Sequence, residues 1–104
     1  EHDEIIAYTS QLAHVVSNAY IKSKTAEKHH GYSAGSYKDL TRVAMLNPDM
    51  WTELFLSNSE NLSNEIDELI QNLNEINIAV KNRDEYKIKQ LLEEGSERKK
   101  KVDS

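Results

Sequence analysis

Two groups of side chains in this sequence have the types and spacing to hold a small polar ligand. The first lies between Ala34 and Trp51, in AGSYKDLTRVAMLNPDMW. There Lys38, Asp39 and Arg42 follow a glycine-containing turn, and the chain's single Trp follows an Asn47-Pro48 break. At a three-residue helical step Asp39 and Arg42 are neighbours, and most such pairs are surface salt bridges of little worth. The setting of this pair points further, with a tight turn before it and a large aromatic at a helix restart after it. The second group is Ser10 and His14. An imidazole changes charge near neutral pH, and a residue one helical turn earlier can orient it.

The element that carries Ser10 and His14 reads as a helix. From Asp3 to about Lys28 there is no Gly or Pro, and Gly31 supplies a stop. On a uniform projection of about 100° per residue, Ile5, Tyr8, Leu12, Val15, Val16, Ala19 and Tyr20 share one broad face. The opposite stripe holds Asp3, Ala7, Ser10, His14, Ser17 and Asn18, with no long charged side chain on it before Lys22. A solvated stripe would be rich in Glu and Lys. Short polar residues either satisfy one another inside a bundle or let a ligand approach closely, and the pattern leaves both open. The histidines offer no zinc site: His2 and His14 are far apart, His29 and His30 are adjacent, and there is no i,i+4 pair.

The turn from His30 to Ser36 then positions the basic cluster. Ser36 can cap the next helix, and Gly35 permits a backbone approach that a Cβ would block. Tyr37 to Leu46 has the length of a short helix, with Leu40, Val43 and Ala44 inward and Lys38, Asp39 and Arg42 toward the other side. Asn47 as N-cap with Pro48 as first helical residue is a strong restart signal. Leu54 and Phe55 read as core, while Trp51 stays undecided between core and the rim of a cleft.

The whole chain bounds what these groups can be. With 104 residues it is one domain at most, and 38% apolar with 30% charged residues is lean for a self-sufficient globule. That lack of apolar residues points to elongated helices or an obligate partner surface. One Pro, three Gly and abundant helix formers indicate an all-α fold. The absence of Cys excludes disulfides and fits a reducing cytoplasm, where we expect the protein. No apolar run approaches the roughly 18 residues of a membrane span. A formal charge of −5 argues against nucleic acid and anionic membrane as partners. The chain begins without Met at Glu1-His2-Asp3, as expected of a piece cut from something longer.

Three stretches, HDEIIAYTSQLAH, AGSYKDLTR and NPDMW, together resemble the C-terminal helical domain of the arogenate/prephenate dehydrogenase family, in order and spacing over essentially residues 1–104. The resemblance implies an elongated domain of about four to five helices forming an intertwined homodimer. It implies a Rossmann domain, absent from this chain, that binds NAD or NADP and carries the catalytic His. Carried over by position, Arg42 would bind a carboxylate of prephenate, and His14 would face substrate with Ser10 beside it. Gly35, Lys38, Asp39 and Trp51 would border or gate the cleft. A guanidinium suits this task, since it pairs with a carboxylate through two parallel charge-assisted bonds. The family pattern S-H-L-P-H reads Ser10-Gln11-Leu12-Ala13-His14 here, and the glycine-rich turn reads Ala34-Gly35-Ser36-Tyr37. No metal ligand is implied.

Beyond Trp51 no chemistry is visible. Leu62, Ile66, Leu69, Leu73, Ile76 and Val80 alternate steps of four and three, an a/d seam for helix packing within the chain or across a dimer axis. The helix could run from about Asn58 to Lys81. Asn82-Arg83-Asp84 interrupts it, and a last amphipathic helix carries Tyr86, Ile88, Leu91 and Leu92. Gly95 should weaken its end, and the tail from Glu97, with the basic run Arg98 to Lys101, reads as a frayed last turn or a linker. The leading expectation is the substrate-side and dimerisation domain of a prephenate dehydrogenase, inactive alone. Two alternatives are a non-enzymatic helical interaction module and, ranked lower for want of spread Arg and Lys, a small all-helical chorismate mutase.

Overall fold

In the computed structural model, which describes residues 1–28 and 34–104, every regular element is helical. The all-α expectation is met. The stop at Gly31, the turn from His30 to Ser33 and the pair His29-His30 lie outside the described residues. The chain divides into two units, Glu1–Ile66 and Asp67–Ser104.

The first unit opens with α1 (His2–Ile6), passes through a π-helical turn (Ala7–Gln11) and continues as α2 (Leu12–Tyr20). At the turn the Leu12 amide bonds to the Ala7 carbonyl five residues back. One extra residue in a turn rotates the helix before it by about 100° relative to the helix after it. A single uniform projection therefore fails. Leu12 is buried as expected, but Ile5 and Tyr8, which the projection put on the same face, are 52% and 60% exposed. Ala7, Gln11 and Ser17 are buried instead, and Ala7 and Ser17 belong to the stripe whose pattern left packing and ligand approach both open.

α2 also ends eight residues before the expected limit. Amides of Lys22 and Ser23 bond three residues back, to Ala19 and Tyr20, tightening the last turn. Ser23 then turns the chain: its hydroxyl accepts from the Thr25 amide at 3.2 Å and its carbonyl from the Ala26 amide at 3.0 Å. A serine that bonds its own neighbourhood competes with helix continuation. A 3-10 turn follows at Lys24–Lys28.

α3 (Gly35–Thr41) starts earlier and stops sooner than expected. Its N-cap is Ala34 with no side-chain bond, so Ser36 lies inside the helix and caps nothing. Thr41 donates its hydroxyl to the Tyr37 carbonyl at 2.9 Å, and Ala44 N bonds to Thr41 O, a three-residue step that closes the helix. Leu40 remains 41% exposed. α4 (Pro48–Ser57) begins as the sequence indicates: Asn47 Oδ1 accepts from the Met50 amide at 3.1 Å and Pro48 occupies the first helical position. Leu54, expected in the core, is 40% exposed, and Phe55 is half-buried. Asn58 ends α4, and α5 (Ser59–Lys81) begins directly after it, within one residue of the expected bounds. Leu62, at the start of the a/d seam, is buried.

The second unit takes the rest of α5 and α6 (Glu85–Asp103). Between them Arg83 adopts φ 54, while Asp84 N bonds to Ala79 O and Arg83 N to Val80 O. This is a Schellman closure with arginine in the left-handed position usually given to Gly. Asp84 then caps α6, accepting from the Lys87 amide at 3.0 Å. α6 runs through Gly95 to Asp103, so the tail expected to fray is helical. Glu94–Arg98, Glu97–Lys100 and Lys99–Asp103 pair along it at helical spacing. On α5 the seam emerges exposed: Leu73 is 56%, Ile76 38% and Val80 54% accessible.

Candidate functional site

His14 lies on α2 one turn past the π-helical turn. Its ring Nδ1 is 2.7 Å from the Ser10 carbonyl. A carbonyl can only accept, so Nδ1 carries the proton and Nε2 of the neutral ring is left as the acceptor. The orienting group is thus Ser10's backbone and not its hydroxyl. Thr9 donates its hydroxyl to the Ile5 carbonyl at 2.8 Å, covering an acceptor at the entry to the widened turn.

The indole of Trp51 stacks on this imidazole, with ring centroids 4.2 Å apart and planes 27° from parallel. Phe55, one turn further along α4, meets Trp51 at 5.6 Å in a tilted arrangement. Both His14 and Trp51 are half-buried. Trp51, undecided from sequence, therefore partners the one imidazole of the polar stripe. The stack leaves the imidazole covered on one face and bonded at Nδ1, so Nε2, without a partner among the described residues, has a fixed direction.

Arg42 is the C-cap of α3 and exposed. The ion pairs among the described residues do not include it or Asp39, so the surface salt bridge their spacing allows is not formed. Lys38 and Asp39 are exposed as well. A Cβ placed on Gly35 would meet nothing within 4 Å, so no close approach among the described residues requires the glycine. No hydrogen bond, ion pair or ring contact joins Gly35, Lys38, Asp39 or Arg42 to His14 or Trp51 among the described residues. The link is indirect: Asn18 on α2 donates to the Ala44 carbonyl at 3.0 Å, tying the segment just after Arg42 to the helix that carries His14.

Sequence reasoning passed over Gln11 and Asn58 as site-builders. Gln11 is 5% exposed and donates from Nε2 to the Leu54 carbonyl at 3.2 Å. Asn58 Nδ2 donates to Gln11 Oε1 and to the Asp3 carbonyl, both at 2.9 Å. The available signal was weak, an uncharged amide on a helix flank. Ser17, on the polar stripe, is 1% exposed and its hydroxyl has no partner among the described residues. A hollow of about 200 Å³ lined by Tyr20, Ser23, Thr25, Ala26 and Tyr37 lies at the other end of α2 and contains none of the expected site residues.

The described residues do not form a Rossmann-type dinucleotide cradle. Among the described residues there is no strand, and the sequence has no G-x-G-x-x-G at a strand-to-helix turn to cradle a pyrophosphate. Nor do the described residues hold a cluster of three or more His, Cys, Asp or Glu that could bind a metal. No described helix is long and apolar enough to cross a membrane.

Residues 1–94 match the family model described as prephenate dehydrogenase, dimerization domain. The chain is 33% identical over 102 residues to a prephenate dehydrogenase of Lactococcus lactis subsp. cremoris, covering 91% of this chain and 28% of that protein. It is 34% identical over 89 residues to a cyclohexadienyl dehydrogenase of Zymomonas mobilis subsp. mobilis, covering 80% of this chain and 30% of that protein. The crystal structure of Synechocystis arogenate dehydrogenase shares the fold, with a TM-score of 0.84 at 21% identity over 97% of this chain and 39% of that one. The chain thus spans under a third of these two curated relatives. It belongs to the prephenate dehydrogenase dimerization-domain family.

Proposed function

We propose that this chain is the substrate-side and dimer-forming domain of an NAD(P)-dependent dehydrogenase acting on prephenate, which the whole protein would oxidise and decarboxylate to 4-hydroxyphenylpyruvate. The observation that carries this reading is the His14–Trp51 stack, within a chain of that family. It gives an imidazole of fixed tautomer with a free Nε2, on an aromatic wall suited to the flat edge of a carbocyclic ring. Arg42, exposed and without an ion pair among the described residues, would supply the bidentate grip on a carboxylate. Ser10 would position His14 through its carbonyl. Gly35, Lys38 and Asp39 would border the cleft and tune its field. The nicotinamide and the His that takes the hydroxyl proton would come from a dinucleotide-binding domain.

Arg42→Ala in the protein that contains this chain tests the assignment. A lost charge-assisted pair is worth roughly 1.5–3 kcal/mol, so kcat/KM for prephenate should fall by about 10- to 100-fold. The fall should come mainly through KM. Unchanged kinetics would sink the substrate role and favour a bare interaction module, for which the exposed seam on α5 speaks. We also propose that this seam is the homodimer contact, and that the 104-residue chain alone turns over no substrate.

A further inference from the structure

The His14–Trp51 stack sits between two amide-to-carbonyl bonds. One turn before His14, Gln11 donates to Leu54, which lies one turn after Trp51; one turn after His14, Asn18 donates to Ala44, which precedes Trp51. The pairs 11 with 54, 14 with 51 and 18 with 44 run in opposite directions along the two segments, as rungs between antiparallel strips of chain. We propose that Gln11, held by Asn58, is the positioning residue that sets this register and so delivers the His14 ring to Trp51.

Register decides whether the stack exists. The residues one turn either side of His14 on this strip are Ser10, Gln11, Ser17 and Asn18, and none has a ring to stack. A slide by one helical turn, about 5.4 Å, would leave the indole against a small polar side chain. Gln11 is built to resist that slide. Its Oε1 accepts from Asn58 and its Nε2 donates to Leu54, so its amide cannot be turned over without losing both bonds. Asn58 is fixed in turn, giving its other Nδ2 proton to the Asp3 carbonyl and accepting at Oδ1 from Asn61 at 2.9 Å. The clip therefore joins α1, the end of the π-helical turn, the last turn of α4 and the start of α5.

Gln11→Met tests this, because it keeps the volume and leaves the Leu54 carbonyl and the Asn58 amide each with one remaining partner. The Leu54 carbonyl retains the Ser57 hydroxyl at 3.0 Å, and Asn58 Nδ2 retains Asp3. The readout is the proton NMR shift of the His14 ring in the full 104-residue chain, with the exposed His2 as internal reference. In the parent chain the indole ring current should displace the His14 ring protons upfield. In Gln11→Met that displacement should collapse toward the His2 value while circular dichroism keeps the parent helix content. A folded Gln11→Met with an unchanged upfield shift overturns the proposal, since a merely structural residue would lower the melting temperature without moving the native-state shift. Should that variant not fold, Asn58→Ser is read the same way, with loss of displacement supporting the clip and retention overturning it. The bearing on substrate rests on the dehydrogenase reading above, but the ring-current measurement needs no substrate, so the two can fail separately.

Discussion

Arg42 closes α3 with its guanidinium exposed and no carboxylate paired with it among the described residues, so the carboxylate proposed to bind there would break no ion pair among them. A cation at a helix C-terminus is also favoured by the helix dipole, which is the plain alternative for its presence. Arg42→Lys separates the two. Lysine keeps the dipole term and loses the planar fork, so the melting temperature should hold while KM for prephenate in the whole protein rises by about tenfold. A drop in melting temperature with unchanged KM would favour the dipole alone. Ser17 poses a different question. Its hydroxyl is buried without a partner among the described residues, which costs free energy that a methyl group would not. Ser17→Ala should therefore stabilise the fold by about 1 kcal/mol, adding a gain in helix propensity. Chemical denaturation gives the answer, and a destabilised variant would mean that the hydroxyl has a partner in the working protein. His14 and Arg42 stand out in the sequence as candidates because few residue types can bind a carboxylate or titrate near neutral pH. The hydrogen bond that orients His14 could not, because it uses a carbonyl that every residue has.

Among the elements, α4 matters most to the site, since its first turn carries Trp51. Its start is written locally, in an Asn whose side chain satisfies an otherwise orphaned amide and a Pro that needs no donor. Asn47→Ala should cost about 1 kcal/mol, read by thermal melting of the chain. It should also broaden the aromatic near-ultraviolet signal as the first turn frays beside the stack. A variant with parent stability would show that tertiary contacts alone hold this end. The π-helical turn is the opposite case. Nothing in AYTSQ announces it, because a widened turn exchanges one set of backbone bonds for another with no preference readable from side chains. Its effect is large, since it moves Ile5 and Tyr8 out of the face that buries Leu12.

Taken as a whole, the chain buries few apolar side chains among the described residues, Ala7, Leu12, Leu62 and Ala79. It leaves Ile70, Leu73, Ile78 and Val80 of α5 more than half exposed. That exposed apolar surface is what the homodimer proposed above would cover. Leu73→Asp would place a charge where an apolar knob is expected to dock. Sedimentation at tens of micromolar should show a dimer for the parent chain and a shift to monomer for the variant, with helix content by circular dichroism retained. A parent chain that sediments as a monomer refutes the homodimer. The bounds of α5, the restart at Asn47 and the turn at Asp84 all come from residues close in the chain, through apolar periodicity, caps and breakers acting within a turn or two. So did the all-α class. The phase of α1 against α2, the burial of Gln11 and Ser17, and the meeting of His14 with Trp51 depended on contacts between residues far apart in the chain. Such contacts are selected by the free energy of the packed whole, in which a side-chain amide finding one carbonyl outweighs the uniform helix that local preference alone would draw.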